Sequence, residues 1–269
     1  MFETIHQTPC IGTEIKADRD TLLSGREAAQ IRRLLEERGV ITFRQLNLTD
    51  EEQIKFSKTL GEVLPQGEKG IFKVTLDKKE NDRADYLRGA FYWHIDGTTD
   101  DIPTRASIMS ARRLSPTGGQ TEFANTYAAY DELSEGEKRV IDNLKVVHTL
   151  ETIQLIVNPT PSDEERTRWR SYQPKSHPLV WRHQSGRKSL VLGSTASHIE
   201  GMDLEEGRAL LKRLQDWATQ RRFVYQHEWT LGDLMIWDNT GTMHRVLPYS
   251  FDSGRMMHRT TLVGEERLV

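Results

Sequence analysis

The stretch from Phe223 to Val263 constrains this chain most. It is a succession of short extended segments, interrupted at Gly232-Asp233, at Asn239 to Gly241 and at Asp252 to Gly254. Gly, Asn and Asp punctuate strands because they accept the backbone angles of tight turns. The same texture recurs upstream. Phe91 to Asp96, Ala106 to Arg112, Gln120 to Ala124, Val146 to Leu150 and Ser189 to Leu192 read as strands, and Pro116-Thr117-Gly118-Gly119 reads as a turn. Many short strands must hide their edges, and an antiparallel double-sheet barrel does so. The expected class is mainly β with flanking helices.

Helical patterning is confined to a few places. Arg26 to Arg38 carries Ile31, Leu34 and Leu35 at helical spacing, is stopped by Gly39, and is followed by a short buried strand, Val40 to Phe43. Thr49-Asp50-Glu51-Glu52 and Ser134-Glu135-Gly136-Glu137 are capping boxes that open two more helices. Asp203 to Gln220 is the strongest helix, with Leu210, Leu211, Leu214, Trp217 and Ala218 in register. Residues 65–89 read as loop with a short strand, Ile71 to Leu76. Residues 158–178 hold four prolines and many charges. They read as a long surface loop, and 152–178 is expected to be a lid-like insertion. No linker divides the chain, so 1–269 is expected to be one domain.

Composition excludes several classes. The net charge of -3 lacks the basic footprint of a nucleic-acid binder. A single cysteine, Cys10, excludes a disulfide scaffold, a redox pair and a cysteine-based zinc site, and fits a reducing, cytoplasmic setting. No apolar run approaches the ~20 residues of a membrane span, and Met1 to Cys10 lacks the pattern of a secretory signal. Dinucleotide, phosphate-loop and nucleophile-elbow motifs are absent.

Chemistry enters at His94-Ile95-Asp96. On a strand, positions two apart share a face, so an imidazole and a carboxylate could bind one metal ion. A third ligand from elsewhere would complete the 2-His-1-carboxylate triad of non-haem iron oxygenases, leaving positions for a co-substrate and O2. The motif alone is weak: 9 histidines and 40 acidic residues give about 1.3 chance matches. His198/Glu200 is a second match, read as turn or pocket wall. Context singles out the first. Trp237-Asp238-Asn239 leads into Thr242-Met243-His244-Arg245, with Arg255 and Arg259 beyond. Two adjacent strands joined near Asp252-Ser253-Gly254 would set His244 and Arg259 side by side. A guanidinium there is a fork for a co-substrate carboxylate, and the Thr121 hydroxyl could join it.

These residues resemble the taurine dioxygenase / 2,4-dichlorophenoxyacetate dioxygenase family of Fe(II)- and 2-oxoglutarate-dependent oxygenases. The resemblance spans nearly the whole chain. It is carried by W-H-x-D (Trp93 to Asp96), G-G-x-T-x-F-A-N (Gly118 to Asn125) with Ala129-Tyr130-Asp131, W-D-N (Trp237 to Asn239), and His244-Arg245 with Arg255 and Arg259. It implies a double-stranded β-helix, or jelly-roll barrel. It implies His94, Asp96 and His244 as iron ligands and catalytic residues. It further implies Arg259 with Thr121 at the distal carboxylate of 2-oxoglutarate, and Arg255 near its other end or the substrate. O2 and 2-oxoglutarate would be consumed, with succinate and CO2 released and a small organic molecule hydroxylated. By analogy the chain would form dimers or tetramers.

Each residue has a plainer reading. His94 could be a core histidine, Asp96 a turn carboxylate, Thr121 a strand former, and the arginines surface groups on an edge strand. Their joint spacing outweighs this. Arg245 and His258 face away from their neighbours' side and read as structural. His6, His148, His177, His183 and His227 lack partners at ligand spacing, and Trp169, Trp181, Trp217 and Trp229 read as packing.

For substrate, Gly89-Ala90-Phe91-Tyr92 stands where sulfonate-oxidising members commonly carry an asparagine, and Glu62 to Gly67 lacks their histidine. An aryloxyalkanoate-like or other mainly apolar carboxylate is therefore expected over taurine. Phe91, Tyr92 and Ser194 are candidate pocket walls. Two alternatives stay open: oxidative desaturation or decarboxylation of a natural-product intermediate, and a non-catalytic metal-dependent binding module on the same scaffold.

Overall fold

Strand β13 (Leu234–Asp238) is buried along its whole length, which requires cover on both faces. In the computed structural model, which describes residues 2–268, it is the middle of a seven-stranded sheet. The order is β1 (Glu3–His6), β2 (Thr13–Lys16), β3 (Val40–Phe43), β13, β5 (Ala106–Arg113), β15 (Met256–Leu262) and β4 (Phe72–Val74). All neighbours are antiparallel except β2 and β3.

Side-chain alternation divides this sheet cleanly. Leu234 and Ile236 pack with Ile31, Leu35, Phe56 and Leu60 of α2 (Ala28–Arg38) and α3 (Asp50–Leu60), alongside the short α1 (Arg19–Leu23). Met235 and Trp237 pack with Phe123 and Tyr225 of a second, three-stranded sheet. That sheet has the order β12 (Val224–His227), β6 (Thr121–Asn125), β14 (Thr242–Val246). Its far face, through Ala124 and Met243, packs on α5 (Thr126–Asp131) and α9 (Leu204–Ala218). The inner faces of both sheets therefore meet, and the candidate site lies between them.

The expected capping boxes form: Thr49 with Glu52 opens α3, and Ser134 with Glu137 opens α6 (Glu135–Ile141). Gly39 closes α2 at φ +69°, where a Cβ would lie 2.8 Å from the Thr242 side chain. The remaining strands form two small sheets, β11 (Ala196–Ile199)–β7 (Lys145–His148)–β8 (Lys175–Pro178) and β10 (Lys188–Leu190)–β9 (Val180–Arg182).

The sequence reading needs four corrections. Helices are more numerous than expected, nine among the described residues. Residues 158–178 are not a long loop: they contain α8 (Asp163–Arg170), capped by Ser162 and Glu165, with Trp169 buried beneath it, and then β8. Before them runs α7 (Leu150–Val157), capped by Thr149. Phe91 to Asp96 is not a strand. A short helix α4 (Ala84–Leu87) passes into a 3-10 turn at Arg88–Phe91, and only His94 then makes a β-bridge. Finally, β14 and β15 are consecutive in sequence but belong to different sheets. No helix among the described residues is long and apolar enough to cross a membrane.

Candidate metal centre

Trp93 and Ile95 are buried in the core beneath the second sheet. Burying these alternate residues turns His94 and Asp96 the other way, toward the space between the sheets. The backbone of His94 then pairs with His244 on β14: His94 N–H donates to the His244 carbonyl at 3.0 Å, and His244 N–H donates back at 2.8 Å. Gly193 lets this happen. Its φ is +120°, and a Cβ there would sit 2.9 Å from His94 Cα and 3.0 Å from the Trp93 carbonyl.

The ligating atoms of His94, Asp96 and His244 all lie within 4.8 Å of one another. Asp96 Oδ1 is 3.7 Å from His94 Nε2, and Oδ2 is 3.9 Å from His244 Nε2. His94 Nδ1 lies 2.8 Å from the Tyr92 carbonyl. A carbonyl only accepts, so Nδ1 carries the proton and Nε2 keeps its lone pair for a metal. The His244 ring sits against Trp237, at 4.9 Å, and Phe123, at 6.0 Å.

The electrostatics suit a cation. Burial would raise the Asp96 carboxyl, but the Arg259 guanidinium, His244, His94 and the Ser107 hydroxyl outweigh it and hold it well below the ordinary carboxylate range. Burial and the neighbouring His94 hold His244 well below the ordinary imidazole value. At neutral pH the centre thus presents an ionised Asp96 oxygen and a neutral His244 nitrogen as donors. Three donors of this kind fit a non-haem Fe(II) ion with positions left open.

Arg259 reaches the centre from β15, across the space between the sheets. The expected route through adjacent strands is not used. Its Nη1 donates to Asp96 Oδ2 at 3.2 Å, and its Nε is buried with no partner among the described residues. Arg255 is also buried, with its guanidinium over the Tyr249 ring and donating to the Gly119 carbonyl at 3.2 Å. Among the described residues no acidic side chain pairs with it, and burial lowers its pKa. Gly119, at φ +81°, makes room: a Cβ there would come within 3.0 Å of Arg255 Nε. Thr121 is buried nearby on β6 and accepts a hydrogen bond from Trp229 Nε1 at 2.9 Å.

One cavity of about 260 Å³ is lined by His94, Asp96, His244, Thr121, Arg255 and Arg259 together. Ser194 is on its wall, but Phe91 and Tyr92 are not. The 3-10 turn directs Phe91 onto Tyr249 and Phe251, and leaves Tyr92 exposed at a separate outer pocket. The sequence reading missed the contribution of α7, which brings Leu150, Ile153 and Gln154 to the wall. Its available signal was Thr149 capping an apolar run. Arg245 and His258 face outward, paired with Glu122 and Asp50.

Residues 3–261 match the family described as taurine catabolism dioxygenase TauD, TfdA family. This chain belongs to it. Among curated relatives, the TauD, TfdA chain is 34% identical over 266 residues to the alpha-ketoglutarate-dependent 2,4-dichlorophenoxyacetate dioxygenase of Cupriavidus pinatubonensis, covering 90% of this chain and 91% of the relative. It is 32% identical over 239 residues to the alpha-ketoglutarate-dependent sulfate ester dioxygenase of Pseudomonas putida, covering 84% and 77%. A crystal structure of AAD-2 in complex with Mn(II) and N-oxalylglycine superposes with a TM-score of 0.86 at 34% identity, covering 100% of both chains. As a TauD, TfdA member the chain is a 2-oxoglutarate-dependent, metal-binding dioxygenase.

Proposed function

We propose that this dioxygenase hydroxylates a small, mainly apolar organic acid of the aryloxyalkanoate kind, on a jelly-roll arrangement of its two main sheets. One observation carries the substrate class: among the described residues, Asp96 is the only carboxylate side chain lining the cavity. A substrate ammonium such as that of taurine has no acidic partner there. Val74, Leu87, Met109, Leu150 and Ile153 offer apolar wall instead. The relative named for an aryloxyacetate supports the same choice.

His94, Asp96 and His244 would hold Fe(II), which when bound activates O2 for substrate oxidation coupled to decarboxylation of 2-oxoglutarate to succinate and CO2. The chain's own residues bind and orient. Arg255 and Thr121 receive the distal carboxylate of 2-oxoglutarate, because a buried guanidinium without an acidic partner is unfavourable until an anion joins it. Arg259 holds Asp96 ionised and keeps its unpartnered Nε for an anionic oxygen beside the metal. This exchanges the two arginines relative to the expectation from the family resemblance. The α7–α8 segment, with Arg170 on α8 donating to Glu151 on α7 at 2.9 Å, acts as a lid-like wall that excludes water.

Succinate release from 2-oxoglutarate, with Fe(II), is the test. It should rise with 2,4-dichlorophenoxyacetate or a related arylalkanoate and stay at background with taurine. Faster turnover of taurine overturns the substrate class.

A further inference from the structure

Thr121 is a buried hydroxyl whose proton has no acceptor among the described residues. Its oxygen is occupied: the Trp229 indole N–H donates to Oγ1 at 2.9 Å. Indole nitrogen only donates, so Thr121 must accept on that side. The hydroxyl proton is thereby turned away from Trp229 and left for a ligand in the cavity that Thr121 lines.

Trp229 is itself held. Its ring stands edge-on to His227, with centroids 4.6 Å apart at 87°. His227 is fully buried and fixed at both nitrogens: Nε2 lies 3.1 Å from Asp233 Oδ2, and Nδ1 lies 2.9 Å from the Tyr225 hydroxyl. Asp233 also accepts from the Thr230 and Gln45 backbone N–H groups and from Arg44, at 2.9, 3.0 and 2.8 Å. Burial keeps His227 below its ordinary value, so the neutral ring donates from Nε2 to the carboxylate and accepts from Tyr225 at Nδ1. Every rotor behind Trp229 has a single consistent assignment. A tryptophan expected from the sequence only to pack has a directed polar contact on the cavity side.

We propose that Trp229 is a positioning residue for co-substrate binding: its indole N–H fixes the Thr121 hydroxyl as a donor to the distal carboxylate of 2-oxoglutarate. The inference rests on the reading of Thr121 and Arg255 given above. Losing the indole N–H removes the contact that turns the Thr121 proton toward the cavity, and the loss is that of one oriented neutral hydrogen bond, about three- to tenfold in affinity.

Calorimetric titration of the Mn(II)-loaded protein tests it, with 2-oxoglutarate as ligand and 2-oxobutanoate, which keeps the keto acid and lacks the distal carboxylate, as control. Trp229→Phe should weaken 2-oxoglutarate by about three- to tenfold and leave 2-oxobutanoate unchanged. Thr121→Val should weaken 2-oxoglutarate at least as much, and the double variant no further. If Thr121→Val weakens binding and Trp229→Phe does not, the role of Trp229 is overturned while the Thr121 reading stands. If Thr121→Val has no effect, both fail. Should Trp229→Phe not fold, the wild-type protein still decides. The Trp229 indole N–H resonance of the zinc-substituted enzyme should shift with 2-oxoglutarate and not with 2-oxobutanoate, and a resonance moved by neither overturns the proposal.

Discussion

His94 and His244 are hydrogen-bonded backbone to backbone in both directions, and their rings stand 4.1 Å apart. Two of the three candidate ligands are therefore spaced by the main chain before any metal arrives. Preorganisation of this kind lowers the cost of assembling the centre on binding. Removing one ligand should consequently lose metal more than fold. His94→Ala should bind Mn(II) at least about tenfold more weakly, abolish succinate formation, and melt near the wild-type temperature. Unchanged Mn(II) affinity, read by electron paramagnetic resonance of the free ion, refutes the assignment.

The two arginines should separate kinetically. On the proposed reading, Arg255→Gln removes charge-assisted bonds to the distal carboxylate, worth about 1.5–3 kcal/mol, and should raise KM for 2-oxoglutarate more than about tenfold. Arg259→Gln should chiefly lower kcat, since it releases Asp96. The opposite pattern restores the assignment expected from the family resemblance.

Gly193→Ala should damage the centre without touching a ligand. The added methyl meets His94 Cα and the Trp93 carbonyl, at a backbone angle that L-residues avoid. Strain of about 1–3 kcal/mol should lower the melting temperature and, because His94 must move, weaken Mn(II) binding as well. A variant with wild-type metal affinity contradicts this account.

Acid stability has a specific source. His148 is fully buried, and burial with the nearby His177 lowers its pKa to about 3. The unfolded chain takes up a proton near pH 6.5 while the native protein does not, so this group makes stability fall as pH drops from about 6.5 toward 3. Between pH 7 and pH 5 it should account for about 2 kcal/mol. Urea denaturation at the two pH values should show wild type losing that much more than His148→Gln. Equal losses eliminate His148 as the source.

Much of the centre was legible because its signal is local. His94 and Asp96 are two apart, and the family-like motifs stand in order along the chain. Arg259 was legible as a partner but not by its route, since strand order in space does not follow strand order in sequence. β14 ends one sheet, while β15 lies between β5 and β4 in the other. The segment at α8 was opaque for a different reason. Asp163 to Arg170 carries only Trp169 as a large apolar side chain, too little for a periodic pattern. The Ser162–Glu165 capping box was the sole local cue. Phe91 and Tyr92 were misplaced because a 3-10 turn rotates them off the alternation a strand would impose.

The division of labour around the cavity has a consequence for divergence. His94 and Asp96 apart, the groups proposed to hold metal and co-substrate stand on or beside the paired strands. Leu87, Ala90, Leu150, Ile153 and Gln154 come instead from α4, the 3-10 turn and α7, which belong to neither main sheet. Inheritance can therefore keep the oxidising centre constant while the wall drifts. A descendant could acquire a new substrate by exchanging a few helical side chains, and its iron chemistry would be carried forward intact.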